Sequence, residues 1–231
     1  VMLSLLMAGT MSVCISGGDV WAENTVKLTS DTVYNVIGEI PASIEMNGHN
    51  IISNVMLNAD NAGLSIIGTD MENLTINGEG LQFAVAAQSS SNAKVLISNV
   101  KKVDITGNVI NDSLLHSNIN GAIIFDKVGL FNITTEKSIG LHAQGGLIYI
   151  DADAVSIKSK DENAIWAQLS NCSGDYPSDV KIKSSGDITL QSTSSTAVGA
   201  ANMDSNVTDN KVTVDLQGKN IYVISEKYIG L

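Results

Sequence analysis

Two carboxylates standing close together are the first residues with chemistry to offer. Asp151 and Asp153 are two positions apart, so on an extended strand both side chains leave one face. Asp104 and Asp126 are placed to join them from neighbouring turns of the chain. Acid–base cleavage of a glycosidic bond needs two carboxylates roughly 5–10 Å apart. The surrounding residues favour a plainer role. Asp151-Ala-Asp153 falls where a turn between two strands is expected, and turn aspartates mostly bond local backbone. All 13 basic residues are lysines, so no arginine is present to steady an anionic transition state.

The other reactive residue types are sparse. His49, His116 and His142 are far apart in sequence, and no Cys/His spacing has the form of a zinc site. They are expected at turns or on the surface. Gly-x-Ser-x-Gly and phosphate-loop motifs are missing, as are glycine-rich calcium repeats. Cys172 stands in a polar loop, and Cys14 lies in a leading segment expected to be removed. Trp166 is expected to cover a strand face. No residue is singled out as catalytic, cofactor-binding or metal-ligating, and no cofactor is expected.

The elements that carry these residues repeat. Val155-Ser-Ile157-Lys-Ser159 is followed by Ala164-Ile-Trp-Ala167, and Ile188-Thr-Leu190-Gln-Ser192 by Ala197-Val-Gly-Ala200. Ile221-Tyr-Val223-Ile-Ser225 and, upstream, Phe131-Asn-Ile133-Thr-Thr135 open further copies. Ile76, Ile105, Ile133, Ile157, Leu190 and Val223 are equivalent, with spacings of 29, 28, 24, 33 and 33 residues. Alternation with period 2 marks strands, and a recurring unit of this length marks a solenoid. Consecutive strands come in couples, such as Val180-Lys-Ile182 with Ile188-Thr-Leu190. Stacked coils share a core because none can bury its apolar face alone. About six coils at ~4.8 Å each would make a rod on the order of 30 Å long. Gly186 and Gly218 occupy matching turns, where a positive φ is expected. A β-sandwich or barrel also uses short strands, but does not repeat residue identity at a fixed period.

Composition agrees. Only 4% of residues are aromatic and two are proline, which suits many short strands joined by polar turns. The formal net charge is −11, without a basic patch, which argues against nucleic-acid binding.

Residues 1–22 form an apolar run ending in Val20-Trp-Ala22, expected to be the rear part of an export signal cleaved before Glu23. Residues 23–61 are assigned to an N-terminal cap and first coil, and residues 62–231 to the coil stack. Loops at Ser170–Ser178 and Asn202–Asn210 are polar insertions. Tyr228-Ile-Gly-Leu231 opens a unit that elsewhere continues, as at Ile139-Gly-Leu-His142, so the chain is expected to be part of a longer exported protein.

An export signal followed by repeats such as Val180-Lys-Ile-Lys-Ser-Ser-Gly-Asp-Ile-Thr-Leu-Gln-Ser192 resembles the N-terminal part of an autotransporter passenger domain (type V secretion). The resemblance runs from Trp21 to Leu231 and rests on style and period. It implies an all-β fold, a right-handed parallel β-helix, displayed on a Gram-negative-type surface or secreted. It implies a C-terminal outer-membrane β-barrel beyond Leu231, no membrane insertion of the mature segment, and a host-surface, extracellular-matrix or glycan ligand. The Asn-Pro-Asn-Gly element of two-partner secreted haemagglutinins is absent. The expected function is a non-enzymatic adhesin or structural stalk. The alternative is a secreted polysaccharide lyase or glycoside hydrolase.

Overall fold

A computed structural model describes residues 25–60, 63–88, 93–169, 176–203 and 211–227. The expected export segment, Cys14, Cys172 and most of both polar insertions lie outside the described residues. Every element among the described residues is a strand.

The chain begins with β1 (Thr25–Lys27) and β2 (Thr32–Tyr34). It continues through β3 (Ser43–Glu45), β4 (Ile51–Ser53) and β5 (Leu57–Asp60), then β6 (Leu64–Ile67), β7 (Asn73–Asn77) and β8 (Val85–Gln88). The next coil is β9 (Lys94–Ser98), β10 (Lys102–Thr106) and β11 (Ser113–Asn118). Two long strands follow, β12 (Ala122–Thr135) and β14 (Leu147–Ser159), leading into β13 (Ile139–Gln144) and β15 (Ile165–Leu169) respectively. The last strands are β16 (Ser178–Ser184), β17 (Asp187–Ser192), β18 (Val198–Asn202), β19 (Val212–Gln217) and β20 (Asn220–Ser225).

The strands form a 14-stranded and a 6-stranded sheet. All their pairings are parallel and join a strand to its counterpart one coil away. β12 shows how the larger sheet spans two sides: its first part pairs with β9 and its second with β10. The fold is therefore all-β, with long parallel ladders stacked coil on coil, consistent with a parallel β-helix. Members of each expected couple, such as β16 and β17, are consecutive in one coil and bond to the coils on either side.

The expected equivalent positions stand directly beside one another. Ile76 pairs with Ile105, Ile105 with Ile133, Ile133 with Ile157, Ile157 with Leu190, and Leu190 with Val223. The row extends upstream to Ser53 and Tyr34. From Ile76 to Leu190 its side chains are at most 1% exposed. Burying each such side chain contributes roughly 1.5–3 kcal/mol.

The polar residue that follows this row has a defined task. Thr135, Ser159, Ser192 and Ser225 share one register position. Thr135, Ser159 and Ser192 each accept the backbone N–H three residues on. Ser159, Ser192 and Ser225 donate to the carbonyls of Ser138, Glu162 and Ser195 in the coil before. One hydroxyl thus satisfies two backbone groups at a buried corner, where an unpaired group would cost about 1–3 kcal/mol.

A buried acid staples another corner. Glu72 is 1% exposed, and its carboxylate accepts the N–H groups of Gly48 (2.6 Å), Thr69 (2.8 Å) and Met71 (3.1 Å) and the Thr69 hydroxyl (2.7 Å). Burial alone would raise its pKa, but these donors hold it down at about 2.

Two turn expectations need correction. Asp151-Ala-Asp153 is not a turn: β14 runs through it unbroken, and the bend appears one coil later at Ser185-Gly186. Gly186 and Gly218 are not among the positive-φ residues. At Gly186 the need for glycine is steric, since a Cβ would lie 2.6 Å from the Asp153 carbonyl, whereas a Cβ on Gly218 would meet the end of the Ile188 side chain at 2.9 Å.

Candidate functional site

In the 6-stranded sheet an inward row stands beside an outward one. Inward stand Leu57, Val85, Leu115, Leu141, Ile165 and Val198, all in the core. The next register position outward is Asn58, Ala86, His116, His142, Trp166 and Gly199 in successive coils. Parallel pairing of β11 with β13 therefore sets His116 directly beside His142. Both were expected at turns or on the surface. They lie instead within strands, 5% and 2% exposed, because register places them in one row covered by neighbours. Phe83 stacks on His116 with ring centroids 4.6 Å apart, and the two imidazoles meet edge to face at 5.1 Å.

Asp112 completes the cluster from the position just before β11. Its carbonyl accepts the Ile139 N–H at 2.7 Å, which fixes its backbone against the next coil. Its Oδ2 lies 2.9 Å from His142 Nδ1 and its Oδ1 3.8 Å from His116 Nδ1. The Ser113 hydroxyl donates to Oδ1 at 3.0 Å and sits 3.4 Å from His116 Nδ1. His142 Nδ1 faces this carboxylate, and its Nε2 is buried without a hydrogen-bond partner. One donor atom from each of Asp112, His116 and His142 lies within 4.8 Å of the others, so these residues are able to hold a metal ion.

The electrostatics set the protonation states. Partial burial would raise the Asp112 pKa, but the hydrogen bond and charge of His142, then the charge of His116 and the Ser113 hydroxyl, hold it at about 2. Burial first, and the charge of His142 second, push His116 down to about 4 against the pull of Asp112. Glu162 in the following turn is raised by burial, by Asp161 and by Asp112.

The remaining residues do not join this cluster. His49 is partly exposed at a turn, 3.8 Å from Asp31. Trp166 covers a strand face as expected: its ring occupies the space over Gly199, and its indole donates to Gln168 at 2.8 Å. Asp126 and Asp151 come from adjacent coils, with Asp151 bound to Lys183 at 2.9 Å and facing the Tyr149 hydroxyl at 3.4 Å. Asp104 is held by Lys102 at 2.6 Å, and Asp153 accepts from Ser185. One sequence signal does point to the histidine cluster: the Leu-His dipeptide recurs at 115–116 and 141–142 in matching register.

Comparison with protein-family models, with curated proteins and with solved structures finds no match to this chain.

Proposed function

We propose that the chain is a non-enzymatic display module: a right-handed parallel β-helix of an exported protein, of the autotransporter-passenger type. The observation that carries this is the unbroken row from Ile76 to Val223, with its repeating hydroxyl corners. Such stacking builds a stiff, extended object from local coil-to-coil contacts and needs no disulfide. In this role the module presents a polar surface to a host-surface, matrix or glycan ligand, or spaces a distal part from the membrane. An export signal at residues 1–22 and a downstream outer-membrane barrel belong to the same proposal.

The alternative lyase or hydrolase role draws on Asp126 and Asp151 lying on adjacent coils. The electrostatics there count against it. Burial and the charge of Asp151 raise Tyr149, and the bond and charge of Asp151 raise Lys183, so neither is poised as a base near neutral pH.

Protease treatment of intact cells producing the full-length protein tests display. The chain should be cleaved while a periplasmic marker survives; a chain protected until the cells are lysed would refute the proposal. Incubating the purified chain with a polysaccharide panel tests the alternative, and release of cleaved sugar would establish it.

A further inference from the structure

We propose that Asp112, His116 and His142 form a binding site for a divalent transition ion of the zinc class, clamping the coil of β11 to the coil of β13. The donors are two imidazoles and one carboxylate within 4.8 Å of one another. Zinc takes such ligands at about 2.0–2.1 Å, which sets tetrahedral donors roughly 3.3 Å apart. Asp112 Oδ2 lies 2.9 Å from His142 Nδ1 and Asp112 Oδ1 3.8 Å from His116 Nδ1, so the carboxylate reaches both imidazoles at distances of this order. Small ring rotations about bonds the strands already position would close the set.

A further observation points to a ligand. His142 is 2% exposed, its Nε2 has no hydrogen-bond partner, and its Nδ1 faces only the Asp112 carboxylate that would share the ion. Buried polar atoms are nearly always satisfied, and a metal ion satisfies an imidazole nitrogen. Asp112 offers the path in, since half of its side chain faces solvent. The Ser113 hydroxyl on Oδ1 orients the carboxylate from behind, as outer partners of metal ligands do. Calcium and magnesium do not fit, because they require mostly oxygen donors. Two of the three donors here are nitrogen. The remaining coordination positions fall to water.

The site ties residues from consecutive coils, so binding stabilises the folded stack by mass action. This inference does not depend on the proposed display role.

The purified metal-free chain should be titrated with zinc chloride, following heat of binding and thermal unfolding. One ion per chain is expected, with the midpoint raised by roughly 5–10 °C at a hundredfold excess over the dissociation constant. Calcium or magnesium chloride should leave it unmoved. His116→Ala reproduces the residue found at the same row position one coil earlier, Ala86, so its fold should survive. That variant, His142→Asn and Asp112→Asn should each weaken zinc binding at least tenfold, and His49→Ala should not. Ring NMR of the wild-type chain supplies a readout that needs no variant. Among its three histidines, the resonances of two should shift with zinc, and His49 should stay. The proposal is overturned if zinc produces no midpoint shift, if calcium matches it, if folded His116→Ala binds normally, or if only His49 responds.

Discussion

Two carboxylates in this molecule, Glu72 and Asp112, are both held near a pKa of about 2, by opposite means. Glu72 is sealed in a corner and saturated by three backbone N–H groups and a hydroxyl. Its acceptor capacity is spent, so it is a structural staple. Asp112 is half exposed and faces two imidazoles, one of which keeps a buried nitrogen without a partner. A low pKa alone thus does not mark a site. What marks it is donor or acceptor capacity that the protein leaves unfilled around the charge.

The largest expected contrast is in stability. Glu72→Ala strands several buried donors and should cost on the order of 3–5 kcal/mol in urea unfolding, whereas Asp112→Ala should cost about 1 kcal/mol or less. Equal costs would erase the distinction between staple and site.

Acid titration comes next. The folded pKa of Glu72 is depressed from 4.5 to about 2, so the unfolded chain binds the proton first as pH falls. Its contribution is full above pH 4.5 and lost between there and about pH 2, amounting to about 3 kcal/mol. The Glu72→Gln variant should be weaker at neutral pH and show a flatter stability curve over that window. An unchanged slope would mean that other groups carry acid unfolding.

Zinc should then separate the two acids cleanly. Glu72→Gln should keep the full zinc-induced rise in unfolding midpoint, and Asp112→Asn should lose it. The smallest effect concerns Phe83, which stacks on His116 at 4.6 Å. Phe83→Leu keeps bulk but removes the stack, and should cost about 1 kcal/mol while loosening zinc by several-fold. If zinc affinity does not change, Phe83 does not position His116.

Much of the fold was legible because inward positions are chemically restrictive. The row Ile76, Ile105, Ile133, Ile157, Leu190 and Val223 can be read off as aliphatic residues recurring at coil length, and Ser159 and Ser192 can be read as its fixed neighbours. The histidine cluster was harder to see. Its ligands are set by outward register, where neighbouring coils carry residues as different as Ala86, His116 and Trp166. The corner at Asp151–Asp153 misled for a similar reason. Where the neighbouring coil turns at Ser185-Gly186, β14 continues as strand, so turn chemistry differs between stacked coils.

The amino-acid sequence by itself determined the strand period, the inward rows and the strongly negative net charge. These follow from local alternation and composition, which do not depend on what lies across the coil. Only the tertiary structure decided that Asp112, His116 and His142 meet. Coil length varies in the turns, so which outward side chains become neighbours is settled when the coils stack and the parallel register locks.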